Sequence, residues 1–343
     1  MSNNNEVVKV EAYKTNLVKA NDIYLNMIET QMNEHKIPLD EYSKVCVVNA
    51  VGAINDLLAT NNLSFQSPEL DTGALTNALI TVATLKLNAK AVNREIFFQL
   101  RNKNFGNKDN PVWKKCLEFG IEGDGWDSLI SNFGRGVKKV YPFWLVRSGD
   151  KYIPARHKGL EVLPPEWEQC GSGDVVRVVY PIEFHDGSVH YYTCERDDVL
   201  KNLFAHINNN LMNETFGICK DRFKATADEK AKIAAKKKEV LDKAQQLGWA
   251  VLDEPEMSEY ISPSWTEFHS RESMIIRKMR NRICKMIPKD LGNAFASDIY
   301  NRASDESYAT AIERIEANND RKLIEGEIID MESGEVVTAK PNF

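Results

Sequence analysis

Three stretches in the first quarter of the chain carry hydrophobic residues at helical spacing. The second and third follow Asp40 and Asp71, whose carboxylates are typical of residues that precede a helix. We therefore predict three packing helices, with the first ending near Lys36 and the third near Asn88. The positions predicted to face the core are Ile23, Met27, Ile28 and Met32, then Tyr42, Val45, Val48, Val51, Ile54 and Leu58, then Leu75, Leu79, Val82, Leu85 and Leu87.

From Asn93 the pattern changes to that of β-strands. The segments REIFFQLRNKN and VWKKCLEFG are separated by a polar loop, and two further strand pairs follow, with turns at residues 148–150 and at Asp186-Gly187. Their alternation favours one covered and one solvated face. Three hairpins in succession predict an antiparallel sheet of about six strands.

Basic and aromatic residues are interleaved in the distal half of the first predicted hairpin. Phosphates attract cations and unpaired bases stack on flat apolar rings, so this combination suits a single strand of nucleic acid. A solvated hairpin tip is the alternative interpretation. The residues concerned are Arg101, Lys103, Lys108, Lys114 and Lys115, with Phe105 and Trp113.

Two helices are predicted between residues 221 and 291. Residues 221–247 are rich in alanine and lysine and have mixed charge, which is typical of a surface helix. Residues 271–291 form an amphipathic pattern with one apolar stripe. Its predicted buried positions are Ile275, Ile276, Met279, Ile283, Met286 and Ile287.

The polar face of the 271–291 helix is strongly basic. Glu272 is the one acid among residues 271–289, so no ladder of ion pairs along the helix neutralises the bases. We expect an exposed, almost wholly cationic surface that suits a phosphate track, and a solvated helix face is the alternative. Lys278, Arg282, Lys285 and Lys289 follow one flank of the apolar stripe, Arg277 and Arg280 the other, and Arg271 precedes them.

The overall charge of −6 argues against a nucleic-acid binder, but its distribution does not. Residues 305–343 contain ten acidic and four basic residues and so carry the whole of that net charge. The remaining 304 residues are neutral in sum and have clustered bases. We hypothesise that the acidic region, which includes a predicted helix over residues 308–324, covers a basic groove when nucleic acid is absent.

Composition excludes several classes of protein. The N-terminus has no apolar leader and no window is long enough to span a membrane, so we expect a cytoplasmic protein. Six cysteines without a CxxC pair favour reduced thiols. The sequence Gly134-Arg135-Gly136 lacks the order of a nucleotide-binding loop and is interpreted as a turn. The nearest approach to a metal cluster, His185, His190 and Cys194, is expected to be a set of surface or edge positions.

The order of these elements resembles the RecT family of phage single-strand annealing proteins. The resemblance covers residues 75–288, and its most specific parts are LKLN at 85–88, VRSGD at 146–150, ERDDV at 195–199 and RICKMIP at 282–288. Two positions differ from the family pattern. Its aromatic-base-glycine motif reads Trp126-Asp127-Ser128 here, and Asn281 stands where an arginine is usual.

The resemblance implies a protein that binds single-stranded DNA, forms rings or helical filaments and pairs complementary strands without ATP or any cofactor. It implies a phosphate-binding groove floored by the sheet and the basic helix, and a hairpin that reaches into the DNA. The acidic C-terminal region would meet a partner exonuclease or the single-strand binding protein of a bacterial host. Residues expected to contact DNA are Arg101, Lys103, Lys108, Lys114, Trp126, Arg277, Lys278, Arg282 and Lys285.

Taken together, the patterns predict an α+β fold in which an antiparallel or mixed sheet of hairpins packs against helices, with N-terminal helices and a helical, acidic C-terminal extension. We predict an N-terminal helical region (1–64), a DNA-binding annealing core (65–291) and a partner-binding region (292–343). Two other functions remain open. A metal-dependent nuclease would use carboxylates such as Glu183, Asp186, Glu195, Asp197 and Asp198, and a structural oligomer would pair the basic helix with the acidic region.

Overall fold

The N-terminal helices form where their caps predict them. The computed structural model describes residues 16–107, 110–220, 222, 224–304, 328–329 and 336–337. The Asp40 carboxylate accepts the Ser43 N–H at 2.8 Å, and the Asp71 carboxylate accepts the Gly73 N–H at 3.1 Å, so each satisfies a backbone donor in the first turn of a helix. The three helices are α1 (Asn16–Glu34), α2 (Glu41–Thr60) and α3 (Thr72–Leu85).

Several positions predicted to face the core are exposed instead. Ile23 on α1 is 47% exposed, and Met286, in the predicted 271–291 helix, is 50% exposed. On α2 the first half of the predicted stripe is wrong, since Tyr42, Val45 and Val48 are exposed and the buried row contains Cys46, Val47 and Ala50; it joins the predicted stripe only from Val51 onward. Hydrophobic spacing alone fitted both rows of α2 and could not distinguish them.

The first hairpin agrees with its prediction. Strands β1 (Ile96–Asn104) and β2 (Trp113–Ile121) are antiparallel, and their register places Lys103 opposite Lys114. The polar loop between them closes through the Asn104 side chain, which accepts the Gly106 N–H at 3.0 Å and the Val112 N–H at 2.8 Å. Helix α4 (Gly123–Phe133) follows directly.

The expected sheet of about six strands is wrong. The hairpin forms a two-stranded sheet of its own. The strands that follow it are β3 (Val137–Val140), β4 (Trp144–Arg147), β5 (Lys151–Ile153), β6 (Arg156–Lys158), β7 (Glu161–Leu163), β8 (Glu166–Glu168), β9 (Val175–Phe184) and β10 (Val189–Glu195). Four of them form the main sheet in the order β10-β9-β3, with β4 also paired to β9, and the intervening strands form a ribbon of two strand pairs, β5 with β8 and β6 with β7.

Asp150 explains why the ribbon leaves the sheet. Its carboxylate accepts the N–H of Arg147 at 2.9 Å, and also the Trp167 indole N–H and the Cys170 N–H, each at 2.9 Å. These bonds hold the pKa of Asp150 well below its usual value, that from Arg147 most of all. The turn at residues 148–150 therefore does not close a β4–β5 hairpin, and β5 pairs with β8 instead. The turn at Asp186-Gly187 does close the predicted hairpin of β9 and β10.

Five helices complete the described chain. The predicted helix over residues 271–291 is shorter, since its regular structure ends at Met286; Ile287 is extended, as expected for a residue before a proline. The predicted surface helix begins at Ala227, after a capping box of Thr226 and Glu229. The bounds are α5 (Leu200–Asn210), α6 (Ala227–Leu247), α7 (Pro263–Thr266), α8 (Phe268–Met286) and α9 (Ala294–Ser304).

Helix α8 lies against the inner face of the four-stranded sheet. Ile275, Met279 and Ile283 are fully buried on it, as are Val178 and Tyr180 of β9, and all belong to one apolar cluster. The same cluster continues into the N-terminal helices and into α9, so the core crosses both boundaries of the three predicted regions. The fold is α+β, with small antiparallel sheets packed against helices, as predicted.

The acidic C-terminal region contributes little to the described structure. Its predicted helix over residues 308–324 lies outside the described residues. Two short segments, Ile328–Ile329 and Val336–Val337, pair as antiparallel strands. None of the helices seen in the described chain has the length and apolar character to cross a membrane.

Candidate nucleic-acid interface

Arg280 is a structural residue of α8. Only 8% of its surface is exposed. Its guanidinium donates to Asp127 Oδ2 at 2.6 Å, to Asp124 Oδ1 at 3.0 Å and to the Tyr180 hydroxyl at 2.8 Å, and it lies 4.3 Å from the centre of the Phe143 ring. The expectation that Arg280 belongs to an exposed basic surface is therefore wrong. Its role is to join α8 to α4 and to strand β9.

Acidic residues from other elements also pair with two further arginines of α8. Arg277 lies 3.2 Å from Glu122 at the base of the hairpin, where the same carboxylate pairs with Arg94 at 3.1 Å. Arg271 lies 2.8 Å from Asp253. The prediction that nothing neutralises this helix failed because it considered only acids within the helix. Arg277, an expected DNA contact, lies at the junction of α8 with the hairpin.

Lys289, the last base of the predicted track, is half-buried. Its ammonium donates to the carbonyl oxygens of Cys284 and, at 2.8 Å, Ile287, which lie at the C-terminal end of α8. Desolvation lowers the pKa of Lys289 to about 8, although interaction with Cys284 opposes the shift. Lys289 therefore caps the helix and is not part of an exposed surface.

The remaining α8 cations line a cleft between α8 and α5. The cleft has a volume of about 290 Å³, and it brings together the predicted contacts Lys278, Arg282 and Lys285. Helix α5 adds Lys201, an exposed residue that the sequence analysis did not select. The full lining is Lys201, Asn202, Lys278, Asn281, Arg282, Lys285 and Met286.

Two polar residues shape the chemistry of this cleft. Asn281 is 8% exposed and its side-chain oxygen has no hydrogen-bond partner in the structure. Asp198 lies 3.7 Å from Arg282 at the rim, and its other oxygen accepts the Glu195 N–H in a capping box. An anion that enters the cleft would therefore meet four cations and one carboxylate that competes for Arg282.

Trp126 does not occupy the position predicted for it. Only 3% of its surface is exposed, and the edge of the Tyr300 ring packs against it with the centroids 6.3 Å apart. Lys285 Nζ lies 5.3 Å from the centre of the Trp126 ring. A base cannot stack on a ring that is covered in this way, so the predicted DNA contact at Trp126 is wrong. The tryptophan instead packs beneath a cation of the cleft.

The hairpin carries a second group of cations on one face. Glu118 lies between two of them, 3.1 Å from Arg101 Nε and 3.2 Å from Lys103 Nζ. Lys114 shares this face, because its partner in the register is Lys103, and its ammonium lies 5.8 Å from the Phe105 ring centroid. Lys108 lies outside the described residues. The hairpin thus combines one exposed cation, Arg101, and two half-buried ones with exposed rings, including Trp113, which is 61% exposed.

The carboxylates named for a metal-dependent nuclease have other partners. Glu183 pairs with Lys138 at 2.5 Å, Glu195 pairs with Arg177 at 2.5 Å, and Asp197 accepts the Trp249 indole N–H at 2.9 Å. Across the described ranges, no three histidine, cysteine or acidic side chains are placed to hold a metal ion together.

Comparison with known proteins adds no identification. No protein-family model matches the chain, and no curated protein matches it significantly. The resemblance to RecT proteins therefore rests on the motifs LKLN, VRSGD, ERDDV and RICKMIP.

Proposed function

We propose that the protein binds single-stranded DNA through the α5–α8 cleft and the β1–β2 hairpin and anneals complementary strands without ATP. The observation that carries this proposal is the convergence of cations from two helices on one cleft. Lys278, Arg282 and Lys285 recur along α8, and Lys201 faces them from α5. Regularly spaced cations beside an open concave surface suit the repeated phosphates of a polynucleotide better than they suit a small, compact substrate.

The hairpin would supply the second half of the activity. Its aromatic rings Phe105 and Trp113 are exposed, and Phe105 lies beside Lys114, so the rings suit bases that are held unpaired. Neutralised phosphates reduce the repulsion between two strands, and unpaired bases are available to a complement. Annealing makes and breaks no covalent bond, so no catalytic group is required.

The resemblance extends the proposal to partners. By analogy with RecT proteins, we propose that the chain assembles into a ring or filament on DNA in the cytoplasm of a bacterial host, and that residues 292–343 bind a partner exonuclease or single-strand binding protein. Helix α9, which lies in this region, packs on α3 and on the Trp126 ring. Partner binding would therefore involve residues beyond Ser304.

An annealing assay without nucleotide tests the proposal. The purified chain is mixed with one fluorescent oligonucleotide and either its complement or an unrelated sequence, with no ATP or metal ion. We expect faster pairing of the complementary strands and no cleavage of either strand. Loss of labelled DNA on addition of magnesium would favour a nuclease, and pairing no faster than without protein would refute the proposed function.

A further inference from the structure

The turn that follows α4 lies immediately beyond the C-terminal end of α8. The Arg135 N–H donates to the Pro288 carbonyl at 2.8 Å, and Gly134 pairs with Lys289 in an antiparallel bridge. Residues 133–135 therefore run beside residues 288–290. The last turn of α8, just before this segment, carries Lys285, the cleft cation nearest to the end of the helix.

Two glycines determine the backbone on either side of Arg135. Gly136 has a φ of +70°, a conformation that favours glycine. A Cβ atom at Gly134 would lie 2.5 Å from the Ile130 carbonyl oxygen and 2.6 Å from a methyl carbon of Val137. The Arg135 side chain is exposed, and none of the described carboxylates forms an ion pair with it. The turn thus presents an arginine from a well-defined backbone position.

Strand β3 follows the turn directly and carries a second combination of a cation and an aromatic ring. A β-bulge lies between Val137 and Lys139, where the register with β9 shifts. Lys139 Nζ lies 4.5 Å from the centre of the Tyr141 ring, and the Lys139 side chain is exposed. A cation beside an aromatic ring is the local chemistry that binds a phosphate and an adjacent base of a single strand.

We propose that the DNA strand held in the α5–α8 cleft continues past the end of α8, where Arg135 binds its phosphodiester backbone, and reaches Lys139 and Tyr141 on β3. This inference rests on the proposed function and extends the binding path to an element about 150 residues away in sequence. The sequence predicts only a turn at residues 134–136. It does not show that Arg135 lies near α8, because that proximity depends on the pairing of residues 133–135 with residues 288–290.

Salt dependence of binding tests the contribution of Arg135. Affinities of the full chain for oligothymidylates of increasing length are measured by fluorescence anisotropy over a range of salt concentrations. For Arg135→Ala we expect the slope of log affinity against log salt to become less steep by about 0.7, the value for one phosphate contact on a single strand. Arg135→Lys should keep the slope of the unmodified protein.

Lys236→Ala provides a matched control, since Lys236 is an exposed cation on α6 that is paired with Glu239 at 2.9 Å. It should leave the slope unchanged, and thermal unfolding should show all three variants folded. A slope for Arg135→Ala equal to that of the unmodified protein would overturn the inference while leaving the cleft as a binding site. If the unmodified protein shows no salt-dependent binding, the proposed function itself fails.

Oligonucleotide length tests the far end of the path. Lys139→Ala and Tyr141→Ala should weaken the binding of long oligothymidylates several-fold and leave the affinity for the shortest binding oligomer unchanged, because that oligomer fills only the cleft. Equal effects at all lengths, or no effect at any length, would contradict a path that continues onto β3.

Discussion

Arg280 Nη2 lies 2.6 Å from Asp127 Oδ2, so a buried ion pair joins the helix that carries the cleft cations to α4. The same guanidinium donates to the Tyr180 hydroxyl and thereby also joins α8 to the central strand of the sheet. Burial raises the pKa of Asp127, and the charge of Arg280 opposes that shift. The position of Lys278, Arg282 and Lys285 therefore depends on an arginine that does not itself line the cleft.

Loss of this arginine should destabilise the fold. In Arg280→Ala the partly buried Asp127 carboxylate loses its main cation, so we expect the free energy of unfolding to fall by about 3 kcal/mol, the lower end of the range for breaking a buried ion pair. Urea denaturation followed by circular dichroism measures the change. Lys236→Ala, which removes an exposed ion pair, should cost no more than about 1 kcal/mol. Similar stabilities for the two variants would show that Arg280 does not anchor α8.

Glu118 should limit the affinity of the hairpin for DNA. Its carboxylate pairs with both Arg101 and Lys103, so a phosphate must compete with it for these cations. We expect Glu118→Gln to bind single-stranded DNA about three to ten times more tightly at low salt, as expected when two exposed ion pairs are removed. Glu239→Gln on α6 removes an acid paired with Lys236 and should leave the affinity unchanged. Equal affinities for both variants would exclude the hairpin cations from DNA binding.

The free energy of unfolding should depend on pH in a specific way because Lys289 is partly buried. Desolvation lowers the pKa of its ammonium to about 8 in the folded protein, compared with 10.5 for an ordinary lysine. Between these values the unfolded chain binds more protons than the folded one, so the contribution of Lys289 to stability rises with pH. The difference in unfolding free energy between the unmodified protein and Lys289→Met should therefore shift in favour of the unmodified protein from about pH 8 to pH 10.5. A difference that does not change with pH would contradict the burial of this lysine.

The two tryptophans near the hairpin should respond differently to DNA. Trp113 is exposed at the start of β2, whereas Trp126 is 3% exposed. Trp113→Phe should therefore reduce the fluorescence quenching that single-stranded DNA causes, whereas Trp126→Phe should leave the quenching almost unchanged. The reverse pattern would restore the DNA contact predicted for Trp126 from the sequence.

Local signals predicted most of the secondary structure. Asp40 and Asp71 identified the starts of α2 and α3, and Asp186-Gly187 identified the turn between β9 and β10, because a cap or a two-residue turn depends on neighbouring residues. The sheet was less predictable. The separation of the β5–β8 ribbon from β4 depends on hydrogen bonds that the Asp150 carboxylate accepts from residues up to 21 positions away, which strand alternation does not reveal.

The candidate site was predictable only in part. Helical spacing selected Lys278, Arg282 and Lys285, which line one cleft, but it also placed Arg280 on the exposed surface. The partners that bury Arg280 lie 100 or more positions earlier in the chain, so no spacing rule within the helix could find them. Lys201 was missed because it is a single lysine on α5, and its importance comes from the neighbouring α8.

The most direct test of the account measures binding of a single-stranded oligonucleotide by the double variant Arg282→Glu/Lys285→Glu beside the unmodified protein at several salt concentrations. We predict that the unmodified protein loses affinity steeply as salt rises, and that the variant, with an unchanged circular dichroism spectrum, neither binds nor anneals at low salt. The account would be contradicted if the unmodified protein did not bind oligonucleotides at low ionic strength. It would also be contradicted if the folded double variant bound them as tightly as the unmodified protein does.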